Sequence, residues 1–242
     1  MLLGLVSAKG SPGVTTAALA LTAVAVDGGL LVELDPSGGS IECWTGAAGE
    51  PGLIRVASGL RRAVDPVTLL EHAVEVPAGV RSILSPAAGS QAESTIAMTG
   101  DRLTPALGEL DTTVIIDGGR WARSQSTSHR VSGCDVVAVV CAPTVDGIEA
   151  ARWLLEPLGA VVTGRVGVVL AGERPYSPQE VAAVVGAPVA GALAWDPRGA
   201  ATLVARGAAG RGWSRTPLAR SARSLLSSLY ELAGEASVVG RA

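Results

Sequence analysis

The chain has 242 residues, a formal net charge of −3, 48% hydrophobic residues and three cysteines. This length allows one α/β domain to bury a sizeable core, so we expect residues 1–242 to form a single domain. The acidic balance argues against a generally basic nucleic-acid binder. Three cysteines without C-x-x-C spacing argue against disulfides or a cysteine metal site, and predict buried, reduced thiols in the cytoplasm.

The first elements are predicted as a strand, Leu2–Ser7, a glycine-containing loop, and a helix over Thr15–Val26. The loop reads Lys9-Gly10-Ser11-Pro12-Gly13-Val14-Thr15-Thr16 and contains the only lysine of the chain. It has the place and spacing of a phosphate-binding loop, in which backbone N–H groups surround the phosphates and a hydroxyl holds Mg²⁺. Val14 occupies the usual lysine position. The alternative interpretation is a tight strand-to-helix turn with one surface lysine.

Acidic residues close two further predicted strands. Leu30–Leu34 leads into an acid-x-acid-Pro segment that contains Glu33 and Asp35, and Val114–Asp117 is a β-branched run that ends in an acid. Because parallel strands end at one edge of a sheet, we expect these acids to share a surface with the glycine loop. The alternative interpretation is that each carboxylate only caps the turn behind it.

These three segments, in this order, resemble the ParA/MinD-like branch of P-loop ATPases. That family carries K-G-G-x-G-K-T-T at the loop and D-x-D-P after the second strand. This chain keeps only the first of the two lysines of the loop, and Glu33 occupies the position of the first aspartate of D-x-D-P. The resemblance covers nearly the whole chain, and TadZ/CpaE-like relatives are closest in kind.

The resemblance implies that ATP or ADP binds with Mg²⁺, that Thr15 and Asp117 hold the metal, and that Asp35 lies near the attacking water. It also implies that Lys9 acts in catalysis by reaching the phosphates of a partner across a homodimer. Because Val14 cannot supply an ammonium to the transferring phosphoryl group, we predict weak or no hydrolysis. The nucleotide-binding residues that it implies are Lys9, Gly10, Ser11, Gly13, Val14, Thr15 and Thr16.

The rest of the chain alternates strands with helices, which is typical of a doubly wound, mostly parallel α/β sheet with helices on both faces. Segment 47–88 is the least regular. The further predicted strands are Val80–Leu84, Val136–Cys141, Val166–Leu170 and Val189–Leu193. The further predicted helices are Pro66–Val74, Val145–Leu158, the segment from the capping box Ser177–Glu180 to Val185, and Pro217–Ala233.

The resemblance continues at Trp195-Asp196-Pro197-Arg198, where the family has a D-P loop near the nucleotide base. The preceding strand leads into Ala171-Gly172-Glu173-Arg174 and lacks the family's asparagine, so the sequence gives adenine selectivity little support. Six arginines in the segment Arg198–Arg223 have no acid between them. These arginines fit non-specific contact with DNA phosphates. The alternative, favoured by the negative net charge of the chain, is that they only form a solvent-exposed surface of the terminal helices.

A leucine stripe in the last predicted helix indicates docking against the sheet, so we expect no stable membrane insertion. Trp121 follows the Asp117 strand and fits either an interface or a half-buried core position. The stripe consists of Leu218, Leu225, Leu229 and Leu232.

Three functions are compatible with these patterns. The first is a positioning factor that binds nucleotide weakly, dimerises and localises a partner machinery such as a pilus or secretion complex. The second is an active ParA-type ATPase in DNA segregation, with Lys9 in place of the lost lysine. The third is a pseudo-ATPase adaptor that binds no nucleotide.

Overall fold

The computed structural model describes residues 1–10, 12–47, 52–60, 66–121, 128–205 and 212–239, with the backbone alone for 235–239. Within these residues the strands are β1 (Leu2–Ser7), β2 (Leu30–Glu33), β3 (Val74–Val76), β4 (Val80–Ile83), β5 (Val114–Arg120), β6 (Val136–Cys141), β7 (Arg165–Ala171) and β8 (Val189–Leu193). They form one sheet in the order β3-β4-β2-β5-β1-β6-β7-β8. Every pair is parallel except β3 with β4.

Helices cover both faces of this sheet, which confirms the predicted fold class. They are α1 (Val14–Val24), α2 (Ile41–Thr45), α3 (Gly52–Leu60), α4 (Gly89–Thr99), α5 (Leu103–Gly108), α6 (Val145–Gly159), α7 (Pro178–Val185), α8 (Pro197–Val204) and α9 (Pro217–Val239). One buried cluster contains α1, α8 and α9, and the other contains α3 to α7.

The central strand β1 supplies both clusters by alternation. Leu3 and Leu5 belong to the cluster of α1 and α9, whereas Leu2 and Val6 belong to the opposite one. A strand buried on both faces needs apolar residues at consecutive positions, because successive side chains point to opposite sides. This burial fixes the end of β1, and therefore the glycine loop that follows it.

The predicted helix over Pro66–Val74 is wrong. Residues Pro66–His72 form a 3₁₀-helix, and Val74 then opens the antiparallel edge strand β3. Three strand residues are too few for a period of two to be distinguished in the sequence. The turn Pro77–Gly79 joins β3 to β4.

The remaining differences are smaller. Helix α1 begins at Val14 and ends at Val24, and β5 continues three residues beyond Asp117 to Arg120. Helices α2, α3, α4, α5 and α8 match none of the helices whose bounds are predicted above. Cys134 and Cys141 are buried as predicted, but Cys43 is exposed.

Helix α9 docks on the sheet as the leucine stripe predicts. Leu218, Leu225, Leu229 and Leu232 are all buried in the cluster that contains α1. Among the residues that the structure describes, no helix combines the length and the apolar character needed to span a bilayer.

We expect Leu229→Ala to lower the free energy of unfolding by about 2–5 kcal/mol, because it removes a fully buried side chain and leaves a cavity. Ser227→Ala on the exposed side of the same helix is the control and should change it by less than about 0.5 kcal/mol. Urea unfolding followed by circular dichroism measures both. Equal stabilities of the two variants would contradict the docking.

Candidate functional site

The glycine loop joins β1 to α1 and leaves the first turn of that helix open. Gly13 precedes α1 with φ 94°, a left-handed conformation that favours glycine. No side chain of the described residues caps this terminus, and its first turn contains no acid. Unpaired N–H groups and the positive end of the helix dipole therefore face the space before α1, which suits an anion.

A cavity of about 460 Å³ lies in front of this helix terminus. It brings the loop together with the segment after β2 and the end of β5, as the shared edge of the sheet predicts. Lys9 does not line it, and Ser11 lies outside the described residues. The lining residues are Ser7, Gly10, Pro12, Gly13, Val14, Thr15, Thr16, Asp35, Ser37, Ser40, Trp44, Gly119 and Arg120.

The side chain of Val14 occupies the lysine position of the loop. It is only 6% exposed and packs in the apolar cluster of α1, yet it also lines the cavity. The wall of the cavity is therefore apolar where an ammonium would stand in the family motif.

Lys9 points to the start of α6. Its Nζ lies 3.1 Å from Asp146 Oδ2, and the two side chains are 61% and 70% exposed. The side-chain hydrogen bond to Thr144 and the Lys9 contact hold the pKa of Asp146 below its usual value. Because exposed ion pairs contribute little to stability, this contact is readily exchanged for another.

Asp117 is buried where β5 passes the cavity. Its Oδ1 accepts the Gly119 N–H at 3.1 Å, and the side chain of Thr15 is hydrogen-bonded to it. Burial, with smaller contributions from the charges of Glu33 and Asp35, raises its pKa to about 7. The predicted metal residues Thr15 and Asp117 are thus in direct contact.

Gly119 and Asp35 are packed so closely that position 119 requires glycine. Gly119 has φ 59°, and a Cβ there would lie 2.0 Å from Asp35 Cγ. Asp35 Oδ1 in turn accepts the Ser37 N–H at 2.8 Å. The end of β5 and the segment after β2 are therefore in contact beside the cavity.

Glu33 has a structural role that the acid-x-acid pattern does not reveal. It is the register partner of Asp117 across β2 and β5. Its Oε1 accepts the N–H groups of Ser40 at 2.8 Å and Ile41 at 3.0 Å, and its Oε2 accepts that of Ser85 at 3.1 Å. Burial raises the pKa of Glu33, which these three bonds partly oppose. Both oxygens thus anchor backbone next to the cavity.

Arg130 is a site residue that the sequence analysis missed. Its side chain is fully buried, and it donates from Nε to Gly118 O at 3.1 Å and from Nη2 to Arg120 O at 3.2 Å. Its guanidinium lies 4.7 Å above the ring of Trp121, which is itself buried. Burial lowers the pKa of Arg130 to about 10, although the charges of Asp35 and Asp117 favour its ionised form. Nothing in the sequence distinguishes it from the other arginines.

A second, more apolar cleft of about 230 Å³ adjoins the first and shares Pro12, Gly13 and Thr16 with it. Trp195, 77% exposed, lies in its wall next to Asp196. The full lining is Pro12, Gly13, Thr16, Ala17, Ala171, Gly172, Leu193, Ala194, Trp195, Asp196, Pro197, Ala200 and Leu218.

The arginines at the start of α9 are exposed and partly tied to backbone. Arg220 Nη1 donates to Arg215 O at 2.9 Å, and Arg223 Nη2 donates to Ser214 O at 2.8 Å. Arg206 and Arg211 of the same predicted basic segment lie outside the described residues. Across the described ranges, no group of three or more His, Cys, Asp or Glu is arranged to hold a metal ion.

Comparison with known proteins identifies the fold. No family model and no curated protein matches the sequence. Solved structures with the same fold include a ParA family ATPase from Chlorobium tepidum, which has a TM-score of 0.71, is 15% identical, and matches over 94% of this chain and 98% of that one. MinD from Pyrococcus horikoshii, complexed with Mg-ADP, has a TM-score of 0.67, is 20% identical, and matches over 96% and 97%.

A third structure shows that the fold also serves other chemistry. Cobyrinic acid a,c-diamide synthase from Mycobacterium smegmatis, with a bound ATP analogue and magnesium, has a TM-score of 0.59, is 22% identical, and matches over 95% of this chain and 94% of that one. The chain therefore has the ParA/MinD P-loop fold, and its function has to be inferred from its own site.

We expect the stability of the protein to fall as pH rises from 3.8 to about 7, because the folded state retains the Asp117 proton that the unfolded state releases. Asp117→Asn should flatten this slope and leave the variant more stable than the parent at pH 8. The increase in the free energy of unfolding at pH 8 is on the order of a few kcal/mol. Thermal melting from pH 5 to 8 measures it, with the exposed change Asp111→Asn as control. If stability depended on pH as steeply in Asp117→Asn as in the parent protein, the raised pKa could not be assigned to Asp117.

Proposed function

We propose that this chain, which has the fold of the ParA and MinD ATPases, is a cytoplasmic nucleotide-binding positioning or partitioning factor. The observation that carries the proposal is the cavity before α1. The open N-terminus of α1, Asp35 and the end of β5 meet around that cavity, and the Thr15–Asp117 pair lies beside it. A turn that served only to connect β1 to α1 would not need this convergence of acids and backbone donors.

The phosphates of ATP or ADP would be bound mainly by backbone. Gly10, Gly13 and the first residues of α1 present N–H groups, and the loop itself offers no ammonium at position 14; Arg120, at the end of β5, is the cationic residue of the described wall. We therefore propose weak nucleotide binding. Thr16 also lines the cavity and adds a hydroxyl.

Mg²⁺ fits the residues present. It prefers hard oxygen ligands and keeps several of its waters, so a hydroxyl and one carboxylate are sufficient when a nucleotide supplies phosphate oxygens. Thr15 and Asp117 offer these groups in contact with each other, and the buried Asp117 carboxylate is one that a cation would stabilise in its ionised form. When bound, Mg²⁺ would neutralise phosphate charge; the Pyrococcus horikoshii MinD structure is a complex with Mg-ADP.

Hydrolysis would be slow or absent because Val14 supplies no charge to the transferring phosphoryl group. Asp35 remains the candidate to orient water, since it lines the cavity together with the loop. Lys9 could supply charge only from outside its own cavity, since its amine contacts Asp146. We therefore assign Lys9 to the phosphates of a second copy in a homodimer.

The resemblance to TadZ/CpaE-like relatives supports a protein partner in a positioning or secretion system, such as a pilus complex. An active ATPase in DNA segregation is the second candidate, favoured by exposed Arg198, Arg215, Arg220 and Arg223, which fit phosphate backbones. A pseudo-ATPase adaptor without nucleotide is the third, favoured by the burial of Val14 in the apolar core.

Val14→Lys tests the proposed loss of catalysis. We expect the unaltered protein to turn over ATP near background, and Val14→Lys to raise its affinity or rate, because the aliphatic stem can follow the path of Val14 and deliver the ammonium to the cavity. Val14→Met, which is long but uncharged, is the control and should raise neither. Calorimetry and phosphate release measure both quantities. Parental turnover at the level of ordinary ParA ATPases would contradict the proposal.

Lys9→Ala tests the proposed homodimer. It should weaken nucleotide-dependent dimerisation and leave the monomer fold unchanged, because the ion pair that it removes is exposed. Asp146→Asn breaks the same pair but keeps the amine, so it should preserve dimerisation. Sedimentation with and without ATP measures assembly. If both variants dimerise like the parent, Lys9 makes no contact with the partner.

A further inference from the structure

We propose that Trp195 is the surface on which the base of the bound nucleotide stacks, and that the pocket accepts adenine and guanine almost equally. This inference rests on the proposed nucleotide binding and specifies which nucleotides the site takes. Its basis is the apolar cleft beside the phosphate cavity.

The two clefts are continuous through the glycine loop. Pro12, Gly13 and Thr16 line both of them, so a ligand with its phosphates before α1 can extend into the apolar cleft without leaving the surface. Trp195 lies there in the connection between β8 and α8. A large aromatic side chain left 77% exposed at such a cleft is available for a planar ligand, whereas most tryptophans of folded proteins are largely buried.

Several hydrogen-bonding groups in the wall of this cleft already have partners. Asp196 Oδ1 accepts the Gly199 N–H at 2.8 Å, and Oδ2 accepts the Leu218 N–H at 3.3 Å. Two backbone N–H groups are engaged as well, because that of Gly172 donates to Leu193 O at 2.8 Å and that of Ala194 donates to Ser221 Oγ at 3.0 Å.

Thr16 is the other polar side chain of the described lining, and it lies at the end shared with the phosphate cavity. A base in the cleft would therefore contact apolar atoms and the ring of Trp195. Few hydrogen-bonding groups of the described lining would be available to distinguish the edge of one base from that of another. Stacking tolerates any base because every base has an aromatic face, whereas sites built to hydrogen-bond a ligand discriminate strongly. The two purines should consequently bind alike.

Trp195→Ala and Trp195→Phe test the inference against Trp153→Ala. Trp153 is 70% exposed on α6 and does not line the cleft, so it is a matched control. Calorimetry with Mg²⁺ would compare ATP, GTP and inorganic tripolyphosphate. We expect ATP and GTP to bind the parent within about tenfold of each other, and Trp195→Ala to weaken both by roughly 5- to 150-fold.

Tripolyphosphate should bind all variants equally, since it has no base, and Trp195→Phe should recover most of the lost affinity. An ATP preference over GTP of about 100-fold or more, or equal behaviour of Trp195→Ala and Trp153→Ala, would overturn the inference and leave nucleotide binding intact. If tripolyphosphate bound the parent protein as tightly as ATP does, the base would contribute nothing, and the inference about Trp195 would also be overturned. Failure of both ATP and tripolyphosphate to bind the parent would overturn the proposed function along with it.

Discussion

The site depends on keeping three carboxylates, those of Glu33, Asp35 and Asp117, close together at the ends of two adjacent strands. Each is stabilised in a different way. Glu33 accepts three backbone N–H groups, Asp35 accepts one beside the cavity, and Asp117 is held by Thr15 and Gly119. Buried Arg130 places a positive charge near Asp35 and Asp117, and it binds the carbonyl groups on either side of Gly119.

The sequence predicted those parts of the fold whose signals are local and long enough. Strand β1 and the capping box of α7 are examples, since apolar runs and Ser-x-x-Glu spacing need no tertiary context. Helix α4 was missed although Ala92, Thr95, Ile96 and Thr99 have helical spacing and are buried, because threonine at half of these positions obscures the apolar stripe. Arg130 could not be predicted, because its role arises from carbonyl groups and a ring that only the fold brings to it.

The placement of the predicted site residues follows from the topology, whereas their chemistry follows from single side chains. A parallel sheet brings the glycine loop, Asp35 and the end of β5 to one edge whatever the residues there. Under the proposed function, hydrolysis depends on position 14 of the loop, where Val14 is buried in the apolar cluster of α1. The same backbone frame thus suits an enzyme that turns over nucleotide or a protein that only binds it, and the side chain at position 14 distinguishes the two under the proposed function.

The exposure of Lys9 makes the loop chemically addressable. Lysine occurs once in the sequence, next to Gly10 of the cavity wall, and its side-chain amine contacts Asp146 of α6. An amine-selective reagent therefore has one side-chain target, at the glycine loop, and the competing amine is only that of the amino terminus. A dye or cross-linker can be placed beside the candidate phosphate cavity of the unaltered chain, without engineering a cysteine or removing competing lysines.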